Sequence, residues 1–120
     1  MNSEDVKTYC RSLPKMTEQE FKPPYNILVF SVMDKKFAYF KPRDPEKWRF
    51  SIRVTPDRFL ELTDQPGMKP ARYMQRFHWV TIVDVRTVDA VYLKELIDSS
   101  YTKAVSGLSK KKQVELNSQS

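Results

Sequence analysis

The segment KWRFSIRVT, Lys47 to Thr55, alternates without a break. Trp48, Phe50, Ile52 and Val54 fall on one side of an extended chain, and Lys47, Arg49, Ser51 and Arg53 fall on the other. A strand with this pattern belongs to a sheet that has one packed face and one wet, basic face. The flanking segments must supply the sheet partners and the layer that covers the packed side.

Upstream, NILVFSVM (Asn26 to Met33) and FAYFK (Phe37 to Lys41) read as two further strands. They are separated by Asp34, Lys35 and Lys36, which suits a hairpin with a loop of three to five residues. A break with Pro42, Asp44 and Pro45 follows, so the three strands form an antiparallel meander. Residues Lys15 to Tyr25 are polar, carry Pro23 and Pro24, and read as a loop. Before them, Ser3 is placed to cap a helix whose stripe is Val6, Tyr9, Cys10 and Leu13, ended by Pro14.

Downstream, Thr55, Pro56 and Asp57 open a short helix, DRFLELTD, that stops before Pro66 and Gly67. HWVTIVD is a fourth strand whose register periodicity does not fix, because both parities carry apolar residues. Thr87 can cap a long helix with Leu93, Leu96, Ile97, Ser100, Tyr101, Ala104, Val105 and Leu108 on one stripe, and Gly107 occupies the place of a left-handed C-cap. The order helix, three strands, helix, strand, helix predicts an α+β fold: a largely antiparallel sheet with helices packed on one face. Residues 1–108 form one domain, and 109–120 read as a polar, basic tail, frayed or disordered.

At 120 residues the chain is long enough for a single core, with 40% hydrophobic and 30% charged residues, as in ordinary globular proteins. No apolar run is long enough to span a bilayer, and MNSEDVKTYC is acidic where a secretory signal would be basic and then apolar, so a cytoplasmic location is expected. One cysteine, Cys10, and one histidine, His78, leave neither a disulfide nor a zinc site, and no cofactor or metal is expected. With only Gly67 and Gly107 there is no phosphate-binding glycine loop, and no nucleophile elbow occurs. A binding role without catalysis is therefore expected, with Cys10 a small core residue and His78 a strand residue.

The formal charge is +6, and its placement is uneven. From Gly67 to Val80 there are three cations, Lys69, Arg72 and Arg76, and no acid, among the rings of Tyr73, Phe77, His78 and Trp79. Lys110, Lys111 and Lys112 form a second concentration. Cations neutralise phosphates with release of counterions, and rings stack on unpaired bases. The candidate nucleic-acid contacts are thus Lys69, Arg72, Arg76, Arg49 and Arg53, with Trp79 as the stacking ring and the lysine triplet as an accessory arm. The bland alternative is that Trp79 is core and the arginines are merely solvated. For the triplet it is that the lysines answer the dipole of the preceding helix.

The segments TYCRSLP, VFSVMDKKFAYF, KPARYMQRFHWVTI and LKELIDSSYTKAVSGLSKK together resemble the MmcQ/YjbR family, small bacterial proteins with a CyaY-like fold that are usually labelled DNA-binding. The likeness runs from about Val6 to Lys112. Two departures stand out: a DKK turn where relatives often carry glycine, and Ser109 where proline is common. The acidic helix that binds iron in frataxin, which shares the fold type, has no counterpart, since Glu4 and Asp5 face Lys7 and Arg11. The resemblance implies a CyaY-like two-layer fold and a DNA-binding role. The charge pattern, read through phosphates, predicts weak and largely sequence-nonspecific binding, by a monomer or weak homodimer. A protein-interaction module and a small-molecule-binding accessory protein are the alternatives.

Overall fold

A computed structural model describes residues 1–24, 26–41, 49–71 and 77–118. Helix α1 spans Ser3–Arg11, and its cap is Asn2 instead of Ser3. The Asn2 Oδ1 accepts from the Asp5 N–H at 2.9 Å while the Asp5 carboxylate accepts from the Asn2 N–H at 3.0 Å, a reciprocal capping box. Ser3 is instead buried, with Val6 and Cys10, on the packed side of the helix.

The expected loop after α1 contains a strand, β1, Met16–Phe21. It was hidden because Thr17, Glu18, Gln19 and Glu20 are all exposed, so the segment has no apolar alternation to read. It forms one edge of the sheet, antiparallel to β2, Ile27–Val32. Arg11 clips it to α1: its Nε and Nη2 donate to the two Glu18 oxygens at 2.7 and 3.0 Å. That hydrogen-bonded guanidinium holds the Glu18 carboxyl below its ordinary value. The pair therefore stabilises the fold above the usual carboxylate range, and the contribution is lost as pH falls through the lowered value. Because both side chains are partly exposed, Glu18→Gln should cost no more than about 1 kcal/mol at neutral pH. The cost should vanish in strong acid, measured by urea unfolding at both pH values.

The hairpin from β2 to β3, Lys35–Phe40, is tighter than expected. Val32 pairs with Lys35, so Met33 and Asp34 alone make the turn, both at positive φ (43° and 79°), as a two-residue hairpin of the primed type requires. Phe30 pairs with Ala38 but Ser31 with Lys36, which leaves Phe37 as an extra residue on β3. This bulge turns Phe37 and its neighbour Ala38 both into the core.

Strand β4, Phe50–Arg53, pairs with β3 and sends Phe50 and Ile52 inward; of the predicted strand, Lys47 and Trp48 lie outside the described residues. Helix α2, Pro56–Thr63, is capped by Thr55 as predicted, and the short edge strand β5, Met68–Pro70, follows. Strand β6, Trp79–Ile82, lies between β4 and β5. The sheet order is β1-β2-β3-β4-β6-β5, antiparallel throughout.

Thr87 does not cap the long helix. It closes a single 3-10 turn, Val85–Thr87, by donating to the Asp84 carbonyl, and Asp89 caps α3, Ala90–Ser106. Gly107 ends α3 with φ of −85°, right-handed, so the expected left-handed cap is absent, although Leu108 is buried behind it. The 109–120 tail is corrected too: Lys110–Ser118 form a further helix, α4, with Leu116 buried in the core. One leucine in a polar segment gives no stripe to recognise. A nine-residue helix is marginal alone. Leu116→Ser should therefore free the α4 amides to exchange at near-unfolded rates while leaving the sheet amides protected.

The core lies between the sheet and the helical layer. Phe30, Phe37, Phe40 and Phe50 interlock across β2 to β4, with ring centroids 4.6 to 6.3 Å apart, beneath Leu93, Leu96, Ile97 and Ala104 of α3. Val6 and Cys10 of α1 and Leu62 of α2 complete it.

Candidate nucleic-acid interface

With α1 and α3 on one side, strand pairing fixes which side chains occupy the other. A row crosses the whole sheet through Gln19, Val29, Tyr39, Ser51, Thr81 and Lys69. On one side of this row lie the partners Ser31 and Lys36, then Arg53 and Trp79. On the other side, Lys41 and Arg49 extend the strands just past the Phe40 and Phe50 pair, so alternation puts them on the same face.

Among the described residues this face carries Lys36, Lys41, Arg49, Arg53 and Lys69 and no carboxylate. The acids of β1 illustrate the sorting: Glu18 and Glu20 pair with Phe30 and Leu28 and so point to the helical side. There, cations meet carboxylates locally: Lys7 with Glu4 at 3.1 Å, Arg58 with Glu95 at 3.2 Å, and Arg86 with Asp84 at 2.7 Å. The helical side neutralises its own charge. Lys36 and Lys69 on the sheet face are exposed, and Lys41 and Arg49 take part in further interactions of their own. Arg53 is half-buried, and its Nε is shielded from solvent without a hydrogen-bond partner.

Three predicted contacts, Lys69, Arg49 and Arg53, are thus brought onto one face. Arg72 and Arg76 lie outside the described residues. Lys36 escaped the sequence reading because it reads as part of the hairpin turn; the two-residue turn at Met33 and Asp34 instead leaves it on β3, paired with Ser31.

The prediction for Trp79 needs correction. Register places it beside Arg53 on this face, yet it is only 3% exposed, with its ring 5.4 Å from that of Tyr39 and inclined by 40°. A ring that deep offers no open surface to a base. Tyr39 is the half-buried ring of the central row. Beside it the Ser51 and Thr81 hydroxyls bond to each other at 2.8 Å.

The lysine triplet belongs to α4. Lys110 and Lys111 are exposed, and Lys112 reaches the Asp34 carboxylate of the β2–β3 turn at 3.2 Å. These lysines sit at the start of a helix, where its dipole is positive, and not only past the end of α3 as the sequence suggested.

Elsewhere the chemistry is quiet. Desolvation pushes the Cys10 thiol up to about 12, as for a packed core residue. His78, at a positive φ of 63°, meets the Phe59 ring edge-on. An open groove of about 760 Å³ along the outer side of α3 mixes Lys94 and Lys103 with Glu95 and Asp98. Within it the Tyr9 hydroxyl donates to Asp98 at 2.6 Å, and that bond pushes its pKa up to about 12. Among the described residues, no three His, Cys, Asp or Glu side chains converge as metal ligands. No helix among them is long and apolar enough to cross a membrane.

The model of the YjbR family matches residues 11–103. The chain belongs to the YjbR family. Among solved structures, this YjbR protein is similar to Deinococcus radiodurans protein DR2400, which carries the DUF419 domain. The two share 31% identity over 97% of this chain and 88% of that one, with a TM-score of 0.81. A Pseudomonas syringae protein gives a TM-score of 0.69 at 21% identity in its crystal structure, covering 87% of this YjbR chain and 99% of that one. A solution structure from the same organism gives 0.65 at 23% identity, covering 87% and 93%. At that identity the likeness speaks for the fold alone. No curated protein matches the chain.

Proposed function

We propose that this YjbR-family protein is a non-catalytic DNA-binding module that holds the phosphate backbone on the sheet face opposite its helices. The observation that carries this reading is the separation of charge. Lys36, Arg53 and Lys69 stand on that face with no carboxylate against them among the described residues, whereas arginines on the helical side are met by acids. A surface of one sign attracts a polyanion and adds affinity with each counterion released. Lys36, Arg53 and Lys69 are the principal contacts. Lys110 and Lys111, exposed at the start of α4, add to them as an accessory arm. Contacts of this kind read charge and not bases, so little sequence preference is expected.

Titration of a labelled DNA at two ionic strengths tests the proposal. With about five phosphates engaged, affinity should fall roughly 100- to 1,000-fold between about 50 and 200 mM salt. Absence of binding at the lower salt, or binding indifferent to salt, removes the basis for the reading.

A further inference from the structure

We infer that α4, held down beside the β2–β3 turn, is a fixed part of the DNA-contact surface and not a loose basic arm, so that docking of α4 and binding of DNA strengthen each other. The inference rests on the phosphate-binding reading above. The first observation is how the helix is held. The Ser109 Oγ accepts from the Lys112 N–H at 3.3 Å and caps the helix, and the Gln113 Nε2 donates to the Leu108 carbonyl at 2.9 Å. Leu116 enters the core, and the Lys112 Nζ meets the Asp34 carboxylate at 3.2 Å. These anchors fix the start of α4 against the turn.

The second observation is what that position gathers. Asp34 is followed by Lys35 and Lys36, and Lys112 is preceded by Lys110 and Lys111, so a single bridge draws both pairs of lysines together. Lys35 pairs with the buried Val32 and lies toward the helical side, where a Cβ at Gly107 would stand 3.7 Å from its Cε. Lys36 stands on the sheet face. All four lysines are exposed, and none is held in an ion pair among the described residues. Of the nearby acids, Asp34 is engaged by Lys112, and Glu115 lies a turn farther along, lining a hollow with Lys15, Thr17 and Met33. Cations in the first turn of a helix oppose its dipole and repel one another, and α4 begins with Lys110, Lys111 and Lys112 and has no acid there. Phosphates lying across the turn end relieve that repulsion. Only the docked helix presents all four cations to one stretch of backbone, so DNA must favour docking by the factor by which docking favours DNA.

Affinity and amide exchange, both measured with a labelled DNA duplex at low salt, test the inference. Leu116→Ser keeps every charge but frees α4. It should bind about tenfold or more weakly, with a slope of log affinity against log salt shallower by about 1.8 for two lost contacts. Leu116→Met keeps an apolar anchor and should bind as the parent does. In the unaltered protein, saturating DNA should slow exchange of the α4 amides by about the same tenfold factor, a readout that stands whether or not the serine variant folds. If Leu116→Ser binds with the parent's affinity and slope, or if DNA leaves α4 exchange unchanged, the lysines are at most a loose arm, and the inference is overturned while phosphate binding stands. If the parent protein binds no DNA at low salt, both readings fall.

Discussion

Ser100→Ala should lower the unfolding free energy by about 2–5 kcal/mol, a large loss for removing one oxygen atom. The side chain is fully buried on α3 and stands where the β3–β4 ladder is broken. Ala38 pairs with Ile52, and an undisturbed ladder would next pair Phe37 with Arg53. The bulge prevents it. The Ser100 hydroxyl is inserted into the gap, accepting from the Arg53 N–H at 2.9 Å and donating to the Phe37 carbonyl at 2.5 Å. Without it a donor and an acceptor are stranded in the core, each costing about 1–3 kcal/mol. Ser99→Ala is the control, since that neighbour is exposed and should change stability by less than about 0.5 kcal/mol. Chemical denaturation of both variants gives the comparison. A Ser100→Ala protein as stable as its parent would mean that the bulge does not depend on the helix.

The second large effect concerns binding. Lys36→Glu combined with Lys69→Glu should weaken DNA binding at low salt about 100-fold or more, with the thermal midpoint almost unchanged. Both lysines are exposed, and neither is held in an ion pair among the described residues, so the fold has little to lose. Each charged contact to phosphate contributes about 1.5–3 kcal/mol, and reversal adds repulsion to its loss. The same double reversal at Lys7 and Lys94, on the helical side, should reduce affinity far less. Equal losses from the two pairs would show that only net charge matters and that the sheet face is not the contact surface.

Much of this architecture was legible in the sequence because burial left a period behind. The alternation of Phe50, Ile52 and Val54 identified a one-sided sheet, and the stripe through Leu93, Leu96, Ile97 and Ala104 identified the helix that covers it. Thr55 and the following proline marked the start of α2 for reasons of local hydrogen bonding that no tertiary contact disturbs. What stayed hidden lacked such a period. Strand β1 is polar at four consecutive positions because an edge strand needs only backbone pairing on one side. Helix α4 is held by Leu116 and by a Lys112 to Asp34 bridge that spans 78 residues, a link no local pattern reports.

The candidate interface was read in part for the same reasons. Arg49 and Arg53 were placed by alternation, whereas Trp79 lay in a segment apolar at both parities, and only its packing against Tyr39 shows its ring to be covered. Lys36 falls where the sequence suggests a three-residue turn, and only the pairing of Val32 with Lys35 shows that it stands on β3.

The central claim is that the cations of the sheet face are the ones that meet phosphate. Its most direct test is the slope of log affinity against log salt for the parent protein and for a Lys36→Gln, Arg53→Gln, Lys69→Gln variant. Neutralising three contacts should make the slope shallower by about 2 to 2.7, since each phosphate contact contributes about 0.7 to 0.9. A slope identical in the two proteins would place the bound phosphates elsewhere and contradict the claim.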